Sequence, residues 1–330
     1  MRLWLCAVTM LIPSALMVTA QANESTRGAR EDVTAARLRG HLEGHEGRVM
    51  SAHFLPAGDR LVTVARDHRA ILWDVLAMAP IKAVSIPQEG VNQRAALSPD
   101  GRTLAVVGSE PSLVLWDLET DVFTPKTFAG YAAFDVAFSL DGSMLAVSTI
   151  SRVFVWDLAR GRLISTAHTE RSNGSALAFS ADDRALVVAG FMQLWFVDPT
   201  SGSWLREPIA LESPIGAVAF SPSGMLAVST IDRGVALFPS PLHEDTHHTL
   251  LWPRGQKRSM LEGVAFVEEA RLWAVGTGKL YGWDLPVTER YAVASHIADD
   301  DATGTLAVSA DHRVAAAGAG HHRVAVWDLD

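Results

Sequence analysis

The chain has a single cysteine, Cys6, which rules out an internal disulfide and a Cys-based zinc or redox motif. Basic charge is also in deficit: 28 Lys and Arg stand against 37 Asp and Glu, for a formal net charge of -9. Nucleic-acid binding rests on a basic footprint that neutralises phosphates, so nucleic acid is not the expected partner. No nucleophile elbow, phosphate-binding Gly loop or zinc-helix motif is present, and no cofactor is expected. Low-complexity sequence is lacking as well, and with 48% apolar and 20% charged residues the chain has the composition of a globular protein with a substantial core.

The apolar run that stands out for length is at the N-terminus. Arg2 precedes an apolar stretch from Leu3 to Ala20, and Ala20-Gln21-Ala22 places small residues where a signal peptidase cuts. Residues 1–22 therefore read as a signal peptide and 23–33 as a short linker, and the chain is expected to be exported, periplasmic or secreted. The competing reading is a retained anchor helix, since spanning a bilayer takes about 20 residues. Pro13-Ser14 interrupts the run and favours cleavage; membrane contact follows only if the segment is kept. Cleavage after Ala22 removes both Cys6 and Arg2, moving the formal charge from -9 to -10.

Downstream, one pattern organises everything. Short alternating strands end in Trp-Asp at Trp73-Asp74, Trp116-Asp117, Trp156-Asp157, Trp283-Asp284 and Trp327-Asp328. Two degenerate copies, with Val197 and Phe238 in the Trp position, fill the gap, giving intervals of 43, 40, 41, 41, 45 and 44 residues. A second landmark, a Val-Ala-Phe-Ser strand followed by a Pro-Asp-Gly turn, recurs in register: Ala96 to Gly101, Ala137 to Gly142, Ala178 to Asp183 and Ala219 to Gly224, with weaker forms near Phe54, Phe266 and Ser309. From the Ser position to the Trp position is 16 to 18 residues in all seven copies. Period-two alternation makes strands, and Pro, Asp and Gly close tight turns between them. A period of about 40 to 45 residues is that of propeller blades. The fold class is therefore all-β, a seven-bladed β-propeller of four-stranded blades.

The first repeat carries a resemblance to the WD40-repeat family. Gly44-His45, Val49, Ala52, Phe54, Asp67 and Trp73-Asp74 follow the family's Gly-His to Trp-Asp pattern. The resemblance implies a hydrogen-bonded set within the blade of His, Ser or Thr, Asp and Trp. His45, Asp67 and Trp73 match, and Val64 takes the Ser/Thr position; the other six repeats lack the Gly-His pair. Trp116, Trp156, Trp283 and Trp327 are the corresponding blade residues. The propeller domain spans 34–330. Its last Trp-Asp lies beside Asp330, so the seventh blade lacks an outer strand unless residues 34–42 supply it and close the ring.

Candidate chemistry is thin. His243-Glu244-Asp245-Thr246-His247-His248 has zinc or copper ligand types, but no partner ligand stands elsewhere and a solvated turn accounts for it. Asp299 to Asp301 lacks EF-hand spacing and reads as a charged loop, and His321-His322 as a polar loop. Asn23-Glu24-Ser25 and Asn173-Gly174-Ser175 fit the short glycosylation pattern.

One position departs from the family pattern. Four residues before each Trp position stand Arg69, Ser112, Arg152, Gln193, Gly234, Lys279 and Arg323, with Arg233 adjacent in the fifth copy. Together with Arg66, His68 and His321 these make a candidate basic rim, suited to an acidic protein surface. The alternative is that they pair internally with acids such as Asp67, Asp135, Asp232 or Asp299 to Asp301. A protein-interaction scaffold without catalysis is the expected function. The competing class is an exported propeller enzyme, lactonase-like or quinoprotein-like, with a metal or cofactor in the central channel; it needs inward acids or His from several blades, for which Asp135 and His53 are the candidates.

Overall fold

The computed structural model describes residues 36–87, 94–128, 132–169, 176–239, 241–242, 248–253, 260–267, 271–276, 279–286, 291–296, 302–320 and 322–329. The signal segment, the linker, Asn173 to Ser175, His243 to His247, Asp299 to Asp301 and His321 lie outside the described residues. Among the described residues no helix is long and apolar enough to cross a membrane.

Every described element is a strand. β1 (Arg37–Glu43) precedes blade 1, which comprises β2 (Val49–Phe54), β3 (Arg60–Ala65), β4 (Arg69–Asp74) and β5 (Ala79–Ser85). Blade 2 is β6 (Arg94–Leu97), β7 (Thr103–Val107), β8 (Ser112–Asp117) and β9 (Phe123–Thr127). Blade 3 is β10 (Ala133–Phe138), β11 (Met144–Thr149), β12 (Arg152–Asp157) and β13 (Arg162–His168). Blade 4 is β14 (Ala176–Phe179), β15 (Leu186–Ala189), β16 (Gln193–Val197) and the two-residue β17 (Ile209–Ala210). Blade 5 is β18 (Ile215–Phe220), β19 (Leu226–Thr230), β20 (Gly234–Phe238) and β21 (Thr249–Pro253). Blade 6 is β22 (Leu261–Val267), β23 (Arg271–Gly276), β24 (Lys279–Asp284) and β25 (Tyr291–His296). Blade 7 is β26 (Ala302–Val308), β27 (Val314–Ala319), β28 (Arg323–Asp328) and β1. Each inner strand packs on the next, and β26 returns to β2, so the ring is closed.

The closing strand is β1, one residue displaced at its C-terminal end from the expected span. It pairs antiparallel with β28 from Arg37↔Asp328 to Glu43↔Arg323. Arg39 donates from Nε to Asp328 Oδ1 at 3.0 Å and from Nη1 to the Val75 carbonyl at 3.2 Å, tying blade 7 to blade 1. The outer strands depart from seven separate sheets at one place. β21 pairs in parallel with β25 through Trp252↔Tyr291 and Pro253↔Ala292, which joins blades 5 and 6 into one eight-stranded sheet. Exposed strand edges otherwise invite pairing with other chains; Pro80 and Lys82 on β5, and Pro125 and Lys126 on β9, blunt theirs.

The two sequence landmarks have physical jobs. Seven apolar clusters fill the seven blade junctions, and each contains one Trp-position residue: Trp73, Trp116, Trp156, Val197, Phe238, Trp283 and Trp327. Truncating a buried Trp costs about 3 to 5 kcal/mol, and five of the seven junctions hold one at this position. The following Asp ends the third strand by accepting backbone N–H groups of the next turn: Asp74 takes Leu76 and Ala77, Asp117 takes Glu119 and Thr120, and Asp198 takes Thr200 and Ser201.

The Ser of the other landmark organises the turn between first and second strands. Ser98 Oγ donates to Asp100 Oδ1 at 2.6 Å and accepts the Thr103 N–H at 2.9 Å. Ser139 with Asp141, Ser180 with Asp182 and Ser309 with Asp311 repeat this, and Ser223 replaces the Asp in blade 5. The Ser hydroxyl and backbone N–H groups hold these four carboxyls below their ordinary range. Gly101 adopts φ of 73°, and a Cβ there would meet Pro56 Cδ at 2.4 Å, so no side chain fits.

Candidate interaction face and central channel

Blade 1 contains a complete polar set, with one correction to the sequence reading. Trp73 Nε1 donates to Thr63 Oγ1 at 2.8 Å, Thr63 Oγ1 lies 2.8 Å from His45 Nε2, and His45 Nδ1 lies 2.8 Å from Asp67 Oδ2. One donor order satisfies every atom: Trp73 to Thr63, Thr63 to His45, His45 to Asp67. The hydroxyl comes from Thr63 and not from position 64. Side chains alternate along a strand, and Val64 points into the junction with blade 2, whereas Trp73 faces blade 7. Asp67 also accepts the Glu46 and Arg69 N–H groups. Burial works to raise its carboxyl, but His45 and these N–H groups outweigh it and hold it below the ordinary range.

Register explains why the set occurs once. Thr63 pairs with Ile71, two residues before Trp73; the corresponding residues are Val106, Ala274 and Ala317 in blades 2, 6 and 7. With no hydroxyl there, Trp116, Trp283 and Trp327 keep buried Nε1 atoms that no described residue accepts from. These tryptophans serve packing alone.

The rim positions fall where the third strands begin: Arg69, Ser112, Arg152, Gln193, Gly234, Lys279 and Arg323 are the first residues of β4, β8, β12, β16, β20, β24 and β28. They lie on one face of the ring, which also carries the turns between second and third strands and is called the upper face below. Arg66, His68, Arg152 and Arg233 are exposed, and Arg69, Lys279 and Arg323 half-buried. His68 holds φ of 60° in the turn. Some of the cations are engaged: Arg233 pairs with Glu212 at 2.6 Å, Arg323 Nη1 lies 4.0 Å from Glu43, and Arg69 Nη1 reaches the Gly44 carbonyl at 3.3 Å. Glu212 and Glu43 are thus among the acids that engage rim cations, whereas Asp67 is taken by His45 and Asp135 faces inward. His248, the described member of the histidine cluster, is exposed with its ring 4.9 Å from that of Phe238. Among the described residues no group of three or more His, Cys, Asp or Glu is placed to hold a metal ion.

Inner strands of all seven blades line a central channel of about 610 Å³. At one register level the residues are Ser51, Arg94, Asp135, Ala176, Ala217 and Gly263 in blades 1 to 6, completed by Thr305 in blade 7. Three of these clip a blade to its successor: Ser51 Oγ accepts the Ala95 N–H at 2.9 Å, Asp135 Oδ2 the Leu177 N–H at 2.8 Å, and Thr305 Oγ1 the Ala52 N–H at 3.0 Å. Where the level holds Gly263, close packing replaces the clip, because a Cβ would meet Leu306 Cβ at 3.0 Å. Two residues further along, six blades have Ala and blade 1 has His53, whose Nε2 donates to the Ala95 carbonyl at 2.7 Å. Ala95 is thus held at both its N–H and its C=O.

His53 is a bridge between blades; burial lowers its pKa, opposed by the bond to Ala95. Asp135 keeps some accessible surface because it faces the channel, yet surrounding protein pushes its carboxyl up to about 6, against the pull of Arg94's charge and the Leu177 N–H. Arg94 donates from Nη1 to the Met50 carbonyl at 2.8 Å. Sequence reading singled out His53 and Asp135 and missed Arg94, although it occupies the same step before the Ala-Leu-Ser landmark that Asp135 occupies before Ala-Phe-Ser. Near the upper mouth, Arg48 Nη2 and Glu262 Oε2 stand 3.3 Å apart, linking blades 1 and 6.

Comparison with known proteins agrees with this geometry. Residues 36–74 match the family described as WD domain, G-beta repeat, a span that holds β1 and the blade 1 polar set. The guanine nucleotide-binding protein subunit beta of Arabidopsis thaliana is 24% identical over 272 residues, covering 74% of this chain and 70% of that protein. Subunit beta-1 of Nicotiana tabacum is 22% identical over 275 residues, with 77% and 72% covered. The periodic tryptophan protein 2 homolog of Schizosaccharomyces pombe is 24% identical over 206 residues, 55% of this chain and 24% of that protein.

Proposed function

The chain is a seven-bladed propeller of WD40-type repeats, and on that premise we propose that it is an interaction scaffold, without catalysis of its own, that docks an acidic protein surface on the upper face of blades 1 and 3. The observation that carries the choice of face is the placement of Arg66, His68, Arg69 and Arg152, cations at strand starts and in the adjoining turn of a chain that is acidic overall. On blades 5 and 7, Glu212 and Glu43 pair with Arg233 and Arg323. A closed ring with a packed junction between every pair of blades presents its turns with little entropy to lose on binding. Relatives named as subunits of guanine nucleotide-binding proteins support an assembly role. Export through the N-terminal segment is part of the same proposal, supported by the sequence from Arg2 to Ala22.

Charge reversal at Arg66, Arg69 and Arg152 to Glu tests the face. The expected result is an unchanged melting temperature with loss of those partners whose capture by wild type weakens with salt. Capture of the same partners at the same yield would refute the assignment.

A further inference from the structure

Asp135 does a job that a hydroxyl does elsewhere in the same ring. Ser51 and Thr305 accept the neighbouring blade's N–H with neutral side chains at the same level, whereas Asp135 uses a carboxylate whose ionisation burial opposes. Blade clipping therefore accounts for an acceptor at this position and not for its charge. Beside it, Arg94 commits Nη1 to Met50, and its other N–H groups have no partner among the described residues. Arg94 and Asp135 form no direct ion pair, although Arg94's charge acts on the carboxyl. Both line the channel of about 610 Å³, whose lining continues through Leu97, Phe138 and Phe220 toward the opposite mouth. A cation, an anion and an apolar stretch thus follow one another in a space of small-molecule size.

We propose that the central channel binds a free α-amino acid with a large apolar side chain, its ammonium on Asp135, its carboxylate on Arg94 and its side chain against Leu97, Phe138 and Phe220. A ligand carrying both charges completes two groups that stand near each other without touching. Arg–carboxylate hydrogen bonds are among the stronger polar contacts. The site is independent of the upper-face docking surface, since none of its residues belongs to that rim.

Isothermal titration of the full chain with L-phenylalanine and L-leucine tests it, alongside Asp135→Asn and Arg94→Gln. Asn keeps an acceptor for the Leu177 N–H, and Gln keeps a donor for the Met50 carbonyl. Saturable one-to-one binding is expected, at least tenfold weaker in either variant. N-acetyl-L-phenylalanine, which lacks the ammonium, and 2-phenylethylamine, which lacks the carboxylate, should each bind wild type at least tenfold more weakly. No saturable binding of either amino acid to the wild-type chain overturns the proposal. So does binding unchanged by Asp135→Asn in a variant that melts cooperatively, or N-acetyl-L-phenylalanine binding as well as the free amino acid.

Discussion

Replacing Asp135 by Asn should stabilise the protein at neutral pH and leave it nearly unchanged in acid. The carboxyl titrates near 3.8 when the chain is unfolded and at about 6 in the folded ring, where burial disfavours its charge. The folded state thus keeps a proton that the unfolded state releases. Stability from this group is full below pH 3.8, declines as pH rises through about 6, and is constant above. At about 1.36 kcal/mol per unit, a shift of roughly two units corresponds to up to about 3 kcal/mol, less to the extent that channel water solvates the carboxylate. Asn retains the acceptor for Leu177 and has no charge to bury. At about 2 °C per kcal/mol for a chain of this size, the variant should melt roughly 5 °C higher at pH 7.5 and within a degree or so of wild type at pH 3.5. Urea or thermal unfolding of both proteins across pH 3.5 to 8, read as a difference curve, isolates the effect. His53 contributes in both proteins with the opposite slope: burial lowers its pKa in the fold, so as pH falls below the ordinary value of 6.5 the unfolded chain takes up the proton first and stability declines, an effect that cancels in the difference. The turn carboxyls at Asp100, Asp141, Asp182 and Asp311 act below pH 3.8, since their pKa values are lowered. A difference curve that is flat from pH 4 to 7, or Asn less stable at pH 7.5, would refute the reasoning.

Two other outcomes follow from the framework. Thr63→Val should destabilise by about 2 to 3 kcal/mol in chemical denaturation, because it strands Trp73 Nε1 and His45 Nε2 in the core; a loss under about 0.5 kcal/mol would show that the polar set is idle. Deleting residues 34–42 removes most of β1, including the Arg39 link to blade 1 and the buried Leu42, so the cooperative thermal transition should vanish. An unchanged transition would mean that the ring closes without this strand.

Much of the fold was legible because its cause is local and repeated. Each junction has one buried apolar residue at the end of a third strand, and blades 2, 3, 4 and 7 close the first hairpin with a Ser-x-Asp turn whose Ser blade 5 keeps, so both landmarks recur with the blade period. Even the degenerate Val197 and Phe238 copies could be counted from spacing, and they pair with Leu186 and Leu226 as Trp73 pairs with Leu61. What failed was a single-residue choice: Val64 against Thr63 depends on which face of β3 each side chain takes, and adjacent residues in a strand face opposite junctions. Arg94 was passed over because the residues that give its place meaning, Asp135 and Met50, come from other blades. The pairing of β21 with β25 was beyond reach for a related reason, since neither strand's pattern names a partner outside its own blade.

The sequence by itself determined the strands, the number of blades and the strand that closes the seventh, since these follow from alternation, turn chemistry and a fixed interval. Tertiary structure decided which rim cations are engaged by Glu212 and Glu43 and which polar residues converge on the channel. Those outcomes depend on through-space distances between residues that lie far apart along the chain, and the ring sets those distances only once all seven junctions have packed.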